Sequence, residues 1–383
     1  MPQGEKLILQ QLNQLVSTPS VSSTDPLWDQ GNRGVIDLLA EWLEPMGFRV
    51  DVQEITPDGG KANLIATRGS GPGGLVLAGH TDTVPFDEGR WQSNPLGIDE
   101  RDNRLYGLGS TDMKGFFPLA IAAAHAFADT TLQQPLILLA TADEESSMNG
   151  ARALAAAGKP RARAAIIGEP TSLRPIRMHK GIMMEAVRVT GRAGHSSDPA
   201  LGNSALEGVH AVISELMAYR EQLRERYHNG MFRVAYPTLN LGCIHGGDSP
   251  NRICGRAELH FDLRMVPGHD NAELRAEIGE RISQVAETRG LEIELRSLIN
   301  DVAAFEQPAD SELVRLAEKL SGHSAEAVAF ATEAPFLRQL GMETIVMGPG
   351  SIDRAHQPDE YLELDQVRPC IELLTQFIRH YCL

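Results

Sequence analysis

Cysteine is scarce in this chain: 383 residues hold four, Cys243, Cys254, Cys370 and Cys382, and no two of them form a CxxC pair or a close framework. A disulfide scaffold is therefore not what organises the fold, and a reduced, cytoplasmic setting is the simplest account. Each cysteine reads as a small buried hydrophobe. A basic run is missing as well. Nothing offsets the formal charge of −16, so phosphates are repelled, which excludes nucleic acid and anionic membrane surfaces as partners and remains compatible with a cationic small substrate. No apolar stretch approaches the roughly 20 residues of a membrane span. At the N-terminus, Leu7, Ile8, Leu9, Leu12, Leu15 and Val16 lie between polar residues in an amphipathic helix pattern, without the continuous apolar core of a signal peptide. There is no internal repeat and no low-complexity segment.

What is present is a hydrophobic content of 42% over a length sufficient for two domains with full cores. Val35, Ile36, Leu38, Leu39, Trp42, Leu43 and Met46 recur at helical spacing until Gly47. Residues 48–55 alternate as a strand. Residues 63–67 and 74–78 are two further strand candidates, and the glycine-rich stretch between them reads as a hairpin-like connection. Residues 136–140 and 164–168 are short, fully apolar runs, the pattern of strands buried on both faces of a mostly parallel sheet.

These apolar runs end in chemistry-bearing residues. The first leads into Asp143-Glu144-Glu145, the second into Glu169-Pro170, and residues 74–78 into Gly79-His80-Thr81-Asp82. Open α/β sheets place their sites at the carboxyl ends of such strands. If the strands continue through these residues, Glu144 and Glu145 point to opposite faces. His80 and Asp82 then share a face, so the carboxylate can hold one imidazole nitrogen while the other binds a metal. The loop from Tyr106 to Gly115 carries Asp112 and precedes an Ala-rich helix over 116–128. Its glycines fit neither a P-loop nor GxGxxG, and Asp112 would repel phosphate, so a metal-facing role is the better reading.

From about Gly181 the order of predicted elements becomes strand, helix, strand, strand, helix, strand, through residue 298. That is a ferredoxin-like α+β unit inserted into the first domain. The expected organisation is a discontinuous first domain of residues 1–180 and 299–383, with a mixed, mostly parallel sheet and helices on both faces, and an inserted domain of residues 181–298. After the insertion come a helix over 311–320, a strand over 343–347, a Gly-rich turn leading to His356, and a final helix over 364–381.

Taken in order, Gly79-His80-Thr81-Asp82, Gly109-Ser110-Thr111-Asp112-Met113-Lys114-Gly115, Asp143-Glu144-Glu145, Gly168-Glu169-Pro170 and His356 resemble the M20 family of metallo-aminoacylases and peptidases, over nearly the whole chain. The resemblance implies a zinc-aminopeptidase-like catalytic domain and a dimerisation insert. It implies two divalent ions, zinc or alternatively cobalt, one held by His80 and Glu169, the other by Glu145 and His356, with Asp112 bridging. Three ligand carboxylates and a hydroxide then balance two dications, as a partly buried site needs. Asp82 would orient His80, Glu144 would be the general base, and His195 would reach the site of the neighbouring subunit in a homodimer. Asn251 and Arg252 match positions that contact substrate, and Arg suits capture of an α-carboxylate. Glu333 is the candidate partner for a substrate ammonium. Together with Gly194-His195-Ser196-Ser197-Asp198-Pro199, Thr332-Glu333-Ala334-Pro335-Phe336 and Gly348-Pro349-Gly350-Ser351-Ile352, the resemblance implies hydrolysis of an N-acyl amino acid, namely deacetylation of N2-acetyl-L-ornithine in arginine biosynthesis. Alternatives are a related deacylase such as one acting on succinyl-diaminopimelate, a dipeptidase, or a non-catalytic binding protein on the same scaffold.

Overall fold

The computed structural model describes residues 3–383. Two compact units divide the chain: one ends at Arg177 and resumes with Gln307–Glu326 and Thr332–Leu383, and the other comprises Met178–Glu306 and Ala327–Ala331. The second unit is longer than residues 181–298 because the returning chain stays paired with its start. Val302 bridges Ile182, and Phe305 and Glu306 pair with His179 and Met178.

In the first unit one sheet orders its strands Arg49–Glu54, Ala62–Arg68, Leu136–Thr141, Leu75–His80, Ala164–Pro170 and Glu343–Gly348. The first two pairings are antiparallel and the next three parallel. Ala62–Arg68 and Leu75–His80 are thus not a hairpin, since Leu136–Thr141 lies between them. An all-apolar strand loses least when both of its edges and both of its faces are covered, and this position covers all four. The glycine loop is pinned to the entry of that intervening strand: Gly73 N donates to Gln134 Oε1 at 2.9 Å, and a Cβ on Gly74 would lie 2.1 Å from the Pro135 carbonyl.

Alternate strand residues, among them Leu64, Leu77, Leu138, Ile166 and Ile345, join a core shared with the helices Arg33–Leu43, Phe116–His125 and Leu364–Cys382. The intervening Ile65, Val76, Ile137, Ala165 and Val346 are buried too, so both faces of the sheet are covered. On the second unit's antiparallel sheet, ordered Thr238–Gly246, Arg256–Arg264, Met183–Thr190 and Glu292–Ser297, burial alternates. Ala257, Leu259, Phe261 and Leu263 pack with residues of the helices Ala205–Arg226 and Asn271–Arg289. On the other face Glu258 accepts from Arg188 and Arg296, each at 2.9 Å, in place of a second apolar layer.

One close approach fixes how the first unit's site-bearing segments meet. The Phe116 ring opens the helix after the Asp112 loop, and it lies against Gly168, next to Glu169 on its strand. A Cβ on Gly168 would fall 2.2 Å from ring carbons, and the ring itself is buried. Substituting Gly168→Ala must therefore displace a packed aromatic. The expected cost is about 1–3 kcal/mol of stability, typical of overpacking, read as a lower urea midpoint with unchanged m-value; an unchanged midpoint would contradict this packing.

Candidate metal centre

Parallel strands deliver their carboxyl ends to one edge of a sheet, and here those ends carry the histidine and acids. His80 is the last residue of Leu75–His80, Glu169 is the penultimate residue of Ala164–Pro170, and Glu144 and Glu145 follow Leu136–Thr141. His356 follows Glu343–Gly348 after a short 3-10 turn. Asp112 arrives from the loop before Phe116–His125.

Asp112 is at the centre of the arrangement. Its Oδ1 lies 3.1 Å from His80 Nε2 and its Oδ2 lies 3.2 Å from His356 Nε2. Each oxygen of one carboxylate thus faces a different imidazole. His356 Nε2 is also 3.0 Å from Glu145 Oε1, and His80 Nε2 is 3.8 Å from Glu169 Oε1. Two sets of donor atoms lie within 4.8 Å of one another: those of His80, Glu144 and Glu169, and those of His80, Asp112 and Glu145. Histidine nitrogen and carboxylate oxygen at these separations suit a divalent ion such as zinc, cobalt or manganese.

Two strand-based expectations change. The strand stops at Thr141 and Asp143 takes φ +61°, so Glu144 and Glu145 sit in a turn and not on opposite faces of a strand. The strand before Asp82 likewise stops at His80. His80 Nδ1 makes its 3.0 Å hydrogen bond with the backbone oxygen of Asp82, while the nearest carboxylate oxygen of Asp82 is 3.7 Å away. That carboxylate instead accepts from the backbone N–H of Glu144 at 3.3 Å and of Glu145 at 3.0 Å. Asp82 therefore fixes the turn that carries both glutamates, and the second hydrogen bond of His80 goes to a carbonyl, which serves equally to fix a ligand's tautomer.

Two supports were missed in the sequence. Lys61 Nζ lies 2.6 Å from Asp143 Oδ1 and 2.7 Å from Asp29, while Ser22 Oγ donates to Asp143 at 2.9 Å. Asp143, read with its neighbours as one of three acids at a site, instead anchors the turn by an ion pair. Glu360, in the loop after His356, accepts from the backbone of the Asp112 loop. A lone lysine and an acid in a Pro-containing loop carry no periodic signal, and only long-range contact reveals either.

Glu333 reaches the same region. It is buried, its Oε2 accepts from Thr141 Oγ1 at 2.8 Å, and its Oε1 has no hydrogen-bond partner among the described residues. The other three candidates belong to the second unit. His195 pairs with Arg252 across two short strands, and the backbone of Ser196 donates to Asn251 O at 3.1 Å, so these residues form one exposed group. Ser197 N donates to His195 Nδ1 at 3.2 Å, which puts the neutral ring's proton on Nε2. Arg252 itself is ion-paired with Asp248.

Crowding of like charge is visible in the protonation equilibria. Burial, then neighbouring carboxylates, push Glu144 and Glu169 well above the usual range, and burial with Asp112 raises Glu145. Burial lifts Glu333 to about 7, and burial with Asp112 lifts Glu360 to about 8. Hydrogen bonds to Asp112 and Glu145 raise His356 to about 10. Burial opposes protonation of His80, but Asp112 and Glu169 outweigh it and its pKa rises. Burial also disfavours the charged form of Asp112, yet the two histidines hold its carboxyl far below normal. Protons on these groups supply positive charge that a bound dication would supply instead, so the residues present fit a metal centre.

Buried His80, solvent-facing His356 and buried or half-buried carboxylates gathered beyond the ends of parallel strands define a metallohydrolase type of centre. Residues 76–380 match the family described as Peptidase family M20/M25/M40, and the chain belongs to that family. It is 50% identical over 368 residues, 96% of both chains, to the acetylornithine deacetylase of Klebsiella pneumoniae strain 342. In fold it is similar to a tripeptidase from Staphylococcus aureus (TM-score 0.76, 18% identity, 98% of both chains). It is also similar to a dinuclear metal-binding M20 peptidase from Bacillus subtilis (TM-score 0.70, 14% identity, 98% and 97% of the chains). The protein is accordingly a metal-dependent amide hydrolase. Among the described residues no helix is long and apolar enough to cross a membrane.

The protonation shifts set the sign of a pH effect in the metal-free protein. A carboxyl raised by folding costs stability as pH rises above its unfolded value of about 4. A raised histidine contributes below about 6.5 and loses that contribution as pH climbs through its folded value. Glu144, Glu145, Glu169, Glu333, Glu360, His80 and His356 all act in this direction; Asp112 opposes them only at lower pH, and Lys114, which burial lowers to about 7, opposes them above pH 7 as one group against seven. The chelator-treated protein is expected to unfold at lower urea at pH 8 than at pH 6, with added zinc restoring the loss. Equal midpoints without metal would contradict this charge arrangement.

Proposed function

We propose that the protein removes the acetyl group from N2-acetyl-L-ornithine, giving L-ornithine and acetate, as a cytoplasmic homodimer of arginine biosynthesis with two zinc ions per site. The observation that carries the dinuclear reading is Asp112, with one carboxylate oxygen toward each of His80 and His356. His80 and Glu169 would hold one ion, Glu145 and His356 the other, and Asp112 both. The extent of identity to the Klebsiella deacetylase supports the substrate. The absence of paired cysteines among the described residues agrees with a reducing compartment.

When bound, two such ions lower the pKa of a water toward neutrality and polarise an amide carbonyl. The chain's own groups do the rest. Glu144 accepts the proton of the attacking water and holds it until the C–N bond breaks, then passes it to the departing amine nitrogen. Asp82 keeps that carboxylate in place through the Glu144 and Glu145 N–H groups. The partner subunit's His195 donates from Nε2 to the oxyanion that forms at the acetyl carbonyl. Arg252 of the partner subunit, with Asn251 of the partner subunit beside it, arrives with that histidine on the paired strands and takes the substrate's α-carboxylate, exchanging Asp248 for it. Glu333, with an oxygen that lacks any partner among the described residues, receives the side-chain ammonium.

Amine release from N2-acetyl-L-ornithine, N-succinyl-diaminopimelate and a simple acetyl amino acid, on metal-depleted protein before and after zinc, tests the reading. Zinc-dependent turnover confined to acetylornithine is expected, and turnover of another substrate alone would overturn it. Glu144→Ala should lower kcat by about 10²–10⁴-fold, the usual share of general acid–base catalysis, with metal content unchanged by elemental analysis; near-normal turnover would remove Glu144 as the base. Glu333→Gln should raise KM for acetylornithine by about tenfold or more, as for loss of a charge-assisted hydrogen bond, while leaving N-acetyl-L-norvaline, which lacks the ammonium, unaffected. Equal effects on both substrates would exclude the ammonium contact.

A further inference from the structure

Glu360 is almost fully buried, at 2% exposure, and both of its carboxylate oxygens are spent on one loop. Oε1 accepts from Thr111 N at 2.8 Å and Asp112 N at 2.9 Å, and Oε2 accepts from Gly109 N at 3.1 Å. Its backbone oxygen accepts from Gly107 N at 3.0 Å. The next residue continues the strap: Tyr361 O accepts from Thr111 Oγ1, and Tyr361–Glu363 pairs with Arg104–Tyr106. Among the described residues no cation stands at ion-pair distance from this carboxylate; three backbone N–H groups are its hydrogen-bond donors, and the buried Lys114 ammonium acts on it at longer range.

A buried acid is costly to keep, and packing alone would be served by an apolar side chain. What an apolar side chain cannot do is present two acceptor oxygens to three N–H groups of a glycine-rich loop. That loop carries Asp112, whose two oxygens must stay aimed at two histidines, and His356 is only four residues before Glu360 in the chain. We propose that Glu360 is a positioning residue that fixes the backbone of Asp112 relative to the His356 segment, so that the two metal positions form together. The inference rests on the dinuclear reading above and adds a residue to it that touches neither metal nor substrate.

The role separates from mere structural support by metal binding measured without turnover. Metal-depleted wild type, Glu360→Gln and Glu360→Ala are titrated with cobalt(II), following the visible absorption of the bound ion and the heat of binding, alongside the urea midpoint of each metal-free protein. Glutamine keeps one acceptor oxygen and turns an amide NH₂ toward a donor. The expected result for Glu360→Gln is a second cobalt equivalent bound about 10–100-fold more weakly, the usual effect of losing a group that orients a ligand, with a changed absorption band and a near-native midpoint. Alanine should do more; if it does not fold, the glutamine variant alone decides. Two cobalt equivalents bound by that variant with wild-type affinity and spectrum would overturn the proposal. A wild type that binds only one equivalent would overturn the dinuclear reading itself.

Discussion

A single carboxylate can face two imidazoles at 3.1 and 3.2 Å only if its backbone, and theirs, are held from outside the site. This constraint on Asp112 accounts for much of the surrounding structure. His80 is held by the end of its strand and by the Asp82 carbonyl. The Asp112 loop is held by three N–H bonds to Glu360 and by the Phe116 ring seated on Gly168. The Glu144 and Glu145 turn is held by Asp82 on one side and by the Lys61–Asp143 pair on the other. Each support is a hydrogen bond or close contact with a buried partner, where the lower effective dielectric makes such interactions stronger and their loss more damaging.

The same density of acids works against the metal-free protein. Burial and mutual repulsion keep Glu144, Glu145 and Glu169 raised, so charge must be neutralised by protons if no cation is present. A dication that binds only the folded state adds stability by mass action, in proportion to the logarithm of its concentration over its dissociation constant. The parallel sheet tolerates the unfavourable part because its strands are covered on both faces and the acids sit just beyond their ends, where a turn can supply backbone N–H groups that the strand interior has already used.

Much of this was legible in the sequence, for a physical reason. A buried strand must be apolar throughout, so a polar residue directly after it stands out, as with His80, Glu169 and the acids after Thr141. What periodicity could not give was the order of strands. Two apolar runs flanking glycines look like a hairpin, and only the competition for the sheet interior shows that Leu136–Thr141 takes the middle place. Nor could it give the point at which a strand stops, which decides whether Asp82 faces His80 or the Glu144 turn. Glu360 and Lys61 were invisible because their partners lie far away in the chain and neither belongs to a repeating pattern.

Recognition of the cationic substrate rests on a different scale of electrostatics. The surplus of acids, −16 over the whole chain, attracts an ammonium at long range, but exposed charges are screened beyond about 8 Å at physiological salt. That field also cannot tell ornithine from any other cation. Discrimination needs a group whose cost is relieved only by the right ligand. Glu333 has that property: one oxygen is committed to Thr141 and the other is buried with no partner among the described residues. A site with an unsatisfied buried polar group rejects an analogue that cannot pair with it far more strongly than an apolar pocket rejects a missing methylene. If Glu333 is the ammonium receptor, the preference for ornithine comes from a penalty already present in the free protein, and it should persist at salt concentrations that remove the attraction of the surface.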